Sequence, residues 1–98
     1  MPTYCLELYL PRASAGRLEE EARQARLAAE AIATNGIVVH YVRTTYLAED
    51  ETCFHLFEAN SAEDVAEAAR RAALQSGRIT LAVEAAAAPR ETSDGGPG

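Results

Sequence analysis

From Thr3 to Leu10 the chain alternates, with Tyr4, Leu6, Leu8 and Leu10 on one side and Cys5, Glu7 and Tyr9 on the other. That two-residue period predicts a half-buried strand, which Pro11 ends. The period then changes. Leu18, Ala22, Ala25, Ala29 and Ile32 recur at three- and four-residue steps and draw one apolar stripe, while Glu19, Glu20, Arg23, Arg26 and Glu30 share the opposite face, so a helix is predicted over Ala15 to Thr34. Asn35 and Gly36 supply a left-handed stop. The β-branched and aromatic run from Ile37 to Leu47 predicts a second strand, and Thr52 to Glu58 a third. Between them Ala48, Glu49, Asp50 and Glu51 lack an apolar anchor and read as a solvated hairpin turn. Ser61 and Asp64 have the spacing of a helix cap, Val65, Ala68, Ala69 and Ala72 continue as an apolar stripe, and Gly77 is expected to stop that helix. Ile79 to Val83 alternates again as a fourth strand.

Strand, helix, strand, strand, helix, strand is the split βαβ order. Right-handed crossovers fold it into an α+β, ferredoxin-like domain: a four-stranded antiparallel sheet with both helices on one face. Leu6, Leu8, Phe54, Leu56, Ile79 and Leu81 are expected to supply the bulk beneath Ala-rich helices. One domain is expected over residues 1–84. Residues 85–98, an Ala run followed by Pro, Gly, Ser and charged residues, carry too little apolar surface to offset ordering entropy and are expected to form a mobile tail.

Composition narrows the functional classes. The hydrophobic share of 48% and charged share of 24% are those of a globular chain. Nine Lys and Arg against fifteen Asp and Glu leave a net charge of −6, which disfavours nucleic acid as a partner. No apolar run approaches the ~20 residues that span a bilayer, and no basic-then-apolar leader is visible, so a cytoplasmic protein without a membrane partner is expected. Cys5 and Cys53 lack zinc-motif spacing and read as small buried hydrophobes.

The helix-free face carries the candidate chemistry. Alternation assigns it Cys5, Glu7 and Tyr9 from the first strand and Cys53, His55 and Phe57 from the third. The second strand has two registers, and the one that keeps the Arg43 guanidinium out of the core brings Tyr41, Arg43 and Thr45 to the same face. The other register brings His40 and Thr44 there. Aromatic groups among a few ionisable ones predict a homodimer packed through this face, forming a dimeric α+β barrel around a small polar cavity. Within it Glu7 and His55 are the candidate metal ligands or acid–base pair, and Arg43, Tyr9 and Tyr41 the candidate binders of a small anionic ligand. A satisfied polar pair at a subunit interface is the alternative use of Glu7 and His55.

Glu7, the segment TCFHLFEA from Thr52 to Ala59, the Ser61–Arg71 helix and the Gly77–Val83 strand together resemble the DUF4242 family of nickel-binding proteins, across about Pro2 to Glu84. The resemblance implies a ferredoxin-like fold, a homodimer and, as in some members, nickel as cofactor. It implies an acidic site residue at Glu7, and puts His55 where many members have cysteine and Arg43 near a frequent histidine. A guanidinium stays protonated and ligates no metal. Three functions follow as expectations: a non-enzymatic metal- or ligand-binding protein, a cofactor-independent oxygenase or cyclase of the dimeric barrel class, and an assembly module without a ligand.

Overall fold

The computed structural model describes residues 1–74 and 77–85. The chain forms β1 (Thr3–Tyr9), α1 (Leu18–Ile32), β2 (Val39–Leu47), β3 (Thr52–Ala59), α2 (Ala62–Arg71) and β4 (Arg78–Ala82). All pairings are antiparallel and the sheet order is β2-β3-β1-β4, the predicted ferredoxin-like α+β arrangement with β1 and β3 at its centre. The expected mobile tail lies, apart from Ala85, outside the described residues.

The helix boundaries have local causes. Pro11 leads into a 3-10 turn over Arg12–Arg17, so α1 starts three residues later than the apolar stripe alone predicts. Glu51, in the hairpin turn, accepts from Arg12 N–H at 2.9 Å through its carboxylate and from Leu10 N–H at 2.8 Å through its carbonyl. The turn therefore docks onto the start of the helical segment rather than standing free in solvent. Gly36, at φ 81°, closes α1 and the short 3-10 extension behind it as expected. Ser61 caps α2 by accepting from Asp64 N–H at 3.2 Å, with Glu63 and Asp64 in the first turn and Arg70 and Arg71 in the last complementing the helix dipole.

Gly77 does not end α2. Leu74 N–H donates to the Ala69 carbonyl and Ala73 N–H to the Arg70 carbonyl, a Schellman closure in which Ala73 takes the left-handed position at φ 62°. Gly77 instead lies against β1. A Cβ there would come within 2.6 Å of Leu6 Cδ1 and 2.9 Å of both the Glu7 carbonyl oxygen and Leu8 Cδ2.

The core lies between the sheet and the two helices. Ala25, Ala28, Ala29 and Ile32 of α1 and Val65, Ala68 and Ala69 of α2 pack with Leu6, Leu8, Val39, Cys53, Phe57 and Ala59 of the sheet. The small helix residues let the backbone approach closely, and the strands fill the remaining volume.

Which third-strand residues fill it differs from the expectation. Leu6 stands opposite His55 and Leu8 opposite Cys53, whereas Glu7 stands opposite Phe54 and Cys5 opposite Leu56. Directly opposed residues share a face. Cys53, His55 and Phe57 are therefore under the helices, and Phe54 and Leu56 are on the open face.

Candidate functional site

The predicted constellation divides between the two faces. Glu7 is on the open face, where its carboxylate lies 3.9 Å from Arg78. His55 is fully buried on the other side of the sheet, so the expected Glu7–His55 ligand pair cannot share one ion. Arg43 is on the open face as expected, opposite Leu56, and bonds to Glu84 at 3.1 Å. Tyr9 ends β1 on the same face and is 70% exposed. Tyr41 is instead helix-facing, with its ring edge-on to Phe57 at a centroid distance of 6.0 Å. Arg43, Tyr9 and Tyr41 thus line no common pocket.

The β1–β3 register separates Glu7 from His55, and a bulge in β2 separates Tyr41 from Arg43. Tyr41 stands opposite Phe57 and Arg43 opposite Leu56, leaving Val42 as the extra residue. Either continuous register keeps Tyr41 and Thr44 on different faces, because they are three residues apart. With Val42 inserted, both point toward the helices, while Arg43 and Thr45 remain open.

The result is a linear polar network in the core. Tyr41 OH and Thr44 Oγ1 are 2.6 Å apart, Thr44 Oγ1 and His55 Nδ1 2.7 Å, and His55 Nε2 and Cys53 Sγ 3.6 Å. In the tautomer protonated at Nδ1, the imidazole donates to Thr44 Oγ1 and its bare Nε2 accepts from the Cys53 thiol. Glu21 enters from α1. One donor atom each from Glu21, Cys53 and His55 lie within 4.8 Å of one another, and all three residue types are ones that ligate transition metals.

Burial sets the protonation of the cluster. It pushes the His55 pKa down to about 4, leaving the ring neutral at pH 7. Burial foremost, then the charges of Glu21 and Cys5, pushes the Cys53 thiol up to about 11. A thiolate–imidazolium nucleophile requires the opposite shifts. The neutral imidazole keeps a lone pair free to accept or ligate, whereas the raised thiol pKa means that a cation binding at Cys53 would have to displace a tightly held proton.

Two cavities adjoin the described surface. One of about 350 Å³ lies along α2 between Ile37, Glu63, Asp64, Ala66, Glu67 and Arg70. The other, of about 180 Å³, is bordered by Leu8, Tyr9, Leu10, Pro11, Arg17, Glu21, Ala73 and Leu74, so Tyr9 lines it without Arg43 or Tyr41, and Glu21 belongs both to this cavity and to the buried cluster. Arg17 pairs with Glu21 at 3.3 Å across one helical turn.

Glu21 and Cys53 are site residues that the sequence reading missed, Cys53 having been read only as a small buried hydrophobe, and Thr44 was expected beside His55 only in the register set aside. The Cys53-x-His55 spacing puts both side chains on one strand face and was a usable signal. Glu21 falls three residues after Leu18 and four before Ala25, at the edge of the apolar stripe, which marks it as helix-inward. No helix among the described residues is long and apolar enough to cross a membrane. No family model, curated protein or solved structure matches this chain.

Proposed function

We propose that the protein is a non-enzymatic metal-binding protein that holds one first-row transition ion between Cys53 Sγ, His55 Nε2 and a Glu21 carboxylate oxygen. The supporting observation is the 3.6 Å separation of Cys53 Sγ and His55 Nε2. A tetrahedral ion bound at about 2.3 Å from sulfur and about 2.0–2.1 Å from nitrogen holds those atoms about 3.5–3.6 Å apart. Two ligands therefore already stand at coordination spacing, and a Glu21 carboxylate oxygen lies within 4.8 Å of both. Thr44 Oγ1, 2.7 Å from Nδ1, orients the ring with Nε2 toward Cys53, as hydrogen-bonded partners of metal-bound histidines do.

One thiolate, one imidazole and one carboxylate favour zinc, cobalt, nickel or copper over magnesium or calcium. Nickel is the ion implied by the DUF4242 resemblance, now with Glu21, Cys53 and His55 in place of a Glu7-centred site. On uptake the ion replaces the proton shared by sulfur and nitrogen. Titration of metal-free protein with nickel or zinc at pH 7, in two buffers of different ionisation enthalpy, is expected to report about one proton released per ion. No uptake, or the same uptake by Cys53→Ser, would overturn the reading.

The open face supports a second role, assembly. Phe54 and Leu56 are half-buried there and Tyr9 is largely exposed, leaving apolar surface around Cys5 and Glu7. A second copy packed sheet to sheet would cover it. A mass that stays monomeric in light scattering at high concentration would contradict that arrangement.

A further inference from the structure

We propose that Tyr41 is a positioning residue for the metal centre: in the loaded protein it accepts the Thr44 hydroxyl proton, and uptake of the ion reverses the hydrogen-bond chain that joins both residues to His55. The inference rests on the metal reading above and deepens it, since Tyr41 acts on the ion only through Thr44 and His55.

The loaded direction follows from the ring. Once Nε2 ligates, the one proton of a neutral imidazole is on Nδ1, 2.7 Å from Thr44 Oγ1, so Thr44 accepts there. Its own proton then needs another acceptor. Among the described residues Tyr41 OH, at 2.6 Å, is the other side-chain partner of Thr44 Oγ1. Thr44 therefore donates to Tyr41, and the phenolic proton of this half-buried residue turns out of the chain.

The metal-free direction is the opposite. Tyr41, Thr44, His55 and Cys53 carry one proton each and meet at three contacts, so one proton is left over at an end of the chain. Run from Tyr41, the chain leaves over the thiol proton, the weakest donor of the four; run from Cys53, it leaves over the phenolic one. The first arrangement costs less and puts the His55 proton on Nε2, facing Sγ. Loading then takes four protons to three, the single release expected above, with the remaining ring proton on Nδ1.

The Val42 bulge makes the Tyr41–Thr44 contact, because residues three apart in a continuous strand face opposite ways. The Tyr41 ring packs edge-on to Phe57, so Tyr41→Phe removes the acceptor and keeps the packing.

NMR of full-length protein with isotope-labelled histidine, metal-free and zinc-loaded, tests this. His55 is expected to carry its proton on Nε2 when metal-free and on Nδ1 when zinc is bound. Tyr41→Phe is expected to weaken zinc about tenfold, and Thr44→Ser, which keeps the hydroxyl, to bind as wild type does. A metal-free ring already protonated at Nδ1, measured on the wild type alone, or equal zinc affinity in Tyr41→Phe would overturn the proposal and leave the centre standing. No zinc uptake by the wild type would overturn the centre and the role of Tyr41 with it.

Discussion

On the open face of the sheet, Glu7 and Arg78 approach to 3.9 Å and Arg43 and Glu84 to 3.1 Å, all with side chains at least 39% exposed. On the helix-covered face, Tyr41, Thr44, His55 and Cys53 join at 2.6, 2.7 and 3.6 Å, and His55 and Cys53 are wholly buried. Water competes for each open-face group, so loss of a partner there is cheap. The covered groups have no such substitute, and each must be neutral, hydrogen-bonded or bound to a cation. The face richer in formal charge is therefore the poorer candidate for chemistry.

Substitutions that separate the two faces are expected to have the largest effect on metal affinity. Cys53→Ser or His55→Gln should weaken nickel or zinc binding about 1,000-fold or more, and Thr44→Val about 10–100-fold, the usual loss when a partner that holds a ligand is removed. Glu7→Gln and Arg43→Gln should change it less than about twofold. Equilibrium dialysis against a chelator series measures all five, and a large loss in Glu7→Gln would reverse the comparison.

The covered face should also govern acid stability. In the unfolded chain the imidazole protonates below about pH 6.5, whereas His55 in the fold does so only near 4. Protons then favour the unfolded state across that interval. The His55 contribution is present in full above about pH 6.5 and is lost as pH falls toward 4, an amount of about 3 kcal/mol. Urea unfolding of metal-free wild type and His55→Gln, compared at pH 7 and pH 4, reads it as a difference that shrinks on acidification.

Steric tolerance sharpens the contrast further. Gly77→Ala forces a methyl against Leu6, Leu8 and the Glu7 carbonyl and is expected to cost about 2 kcal/mol. Gly16→Ala meets nothing within 4 Å and should be neutral or stabilising by about 0.5 kcal/mol. Thermal unfolding of both variants distinguishes them. The smallest effect belongs to the open face. Glu84→Gln should cost less than about 0.5 kcal/mol and nothing measurable at high salt.

The fold was legible because periodicity and punctuation agreed: alternation in β1 and β4, Ala stripes in the helices, Gly36 after the first and Ser61 before the second. The site was not, for two physical reasons. TCFHLFEA is apolar on both faces, Cys53 and Phe57 on one and Phe54 and Leu56 on the other, so burial alone does not choose which faces the helices. The Val42 bulge then breaks the two-residue period, allowing Arg43 to stay open while Tyr41 and Thr44 both turn inward. Neither continuous register contains that solution. A pattern argument that keeps a guanidinium in water places Arg43 correctly and Tyr41 on the wrong face.

The coordination of the bound ion tests the central claim most directly. X-ray absorption on nickel- or zinc-loaded protein is expected to resolve one sulfur at about 2.3 Å with nitrogen and oxygen donors at about 2.0–2.2 Å, the sulfur disappearing in Cys53→Ser. An ion surrounded only by nitrogen and oxygen in the wild type would contradict a centre built on Cys53, His55 and Glu21.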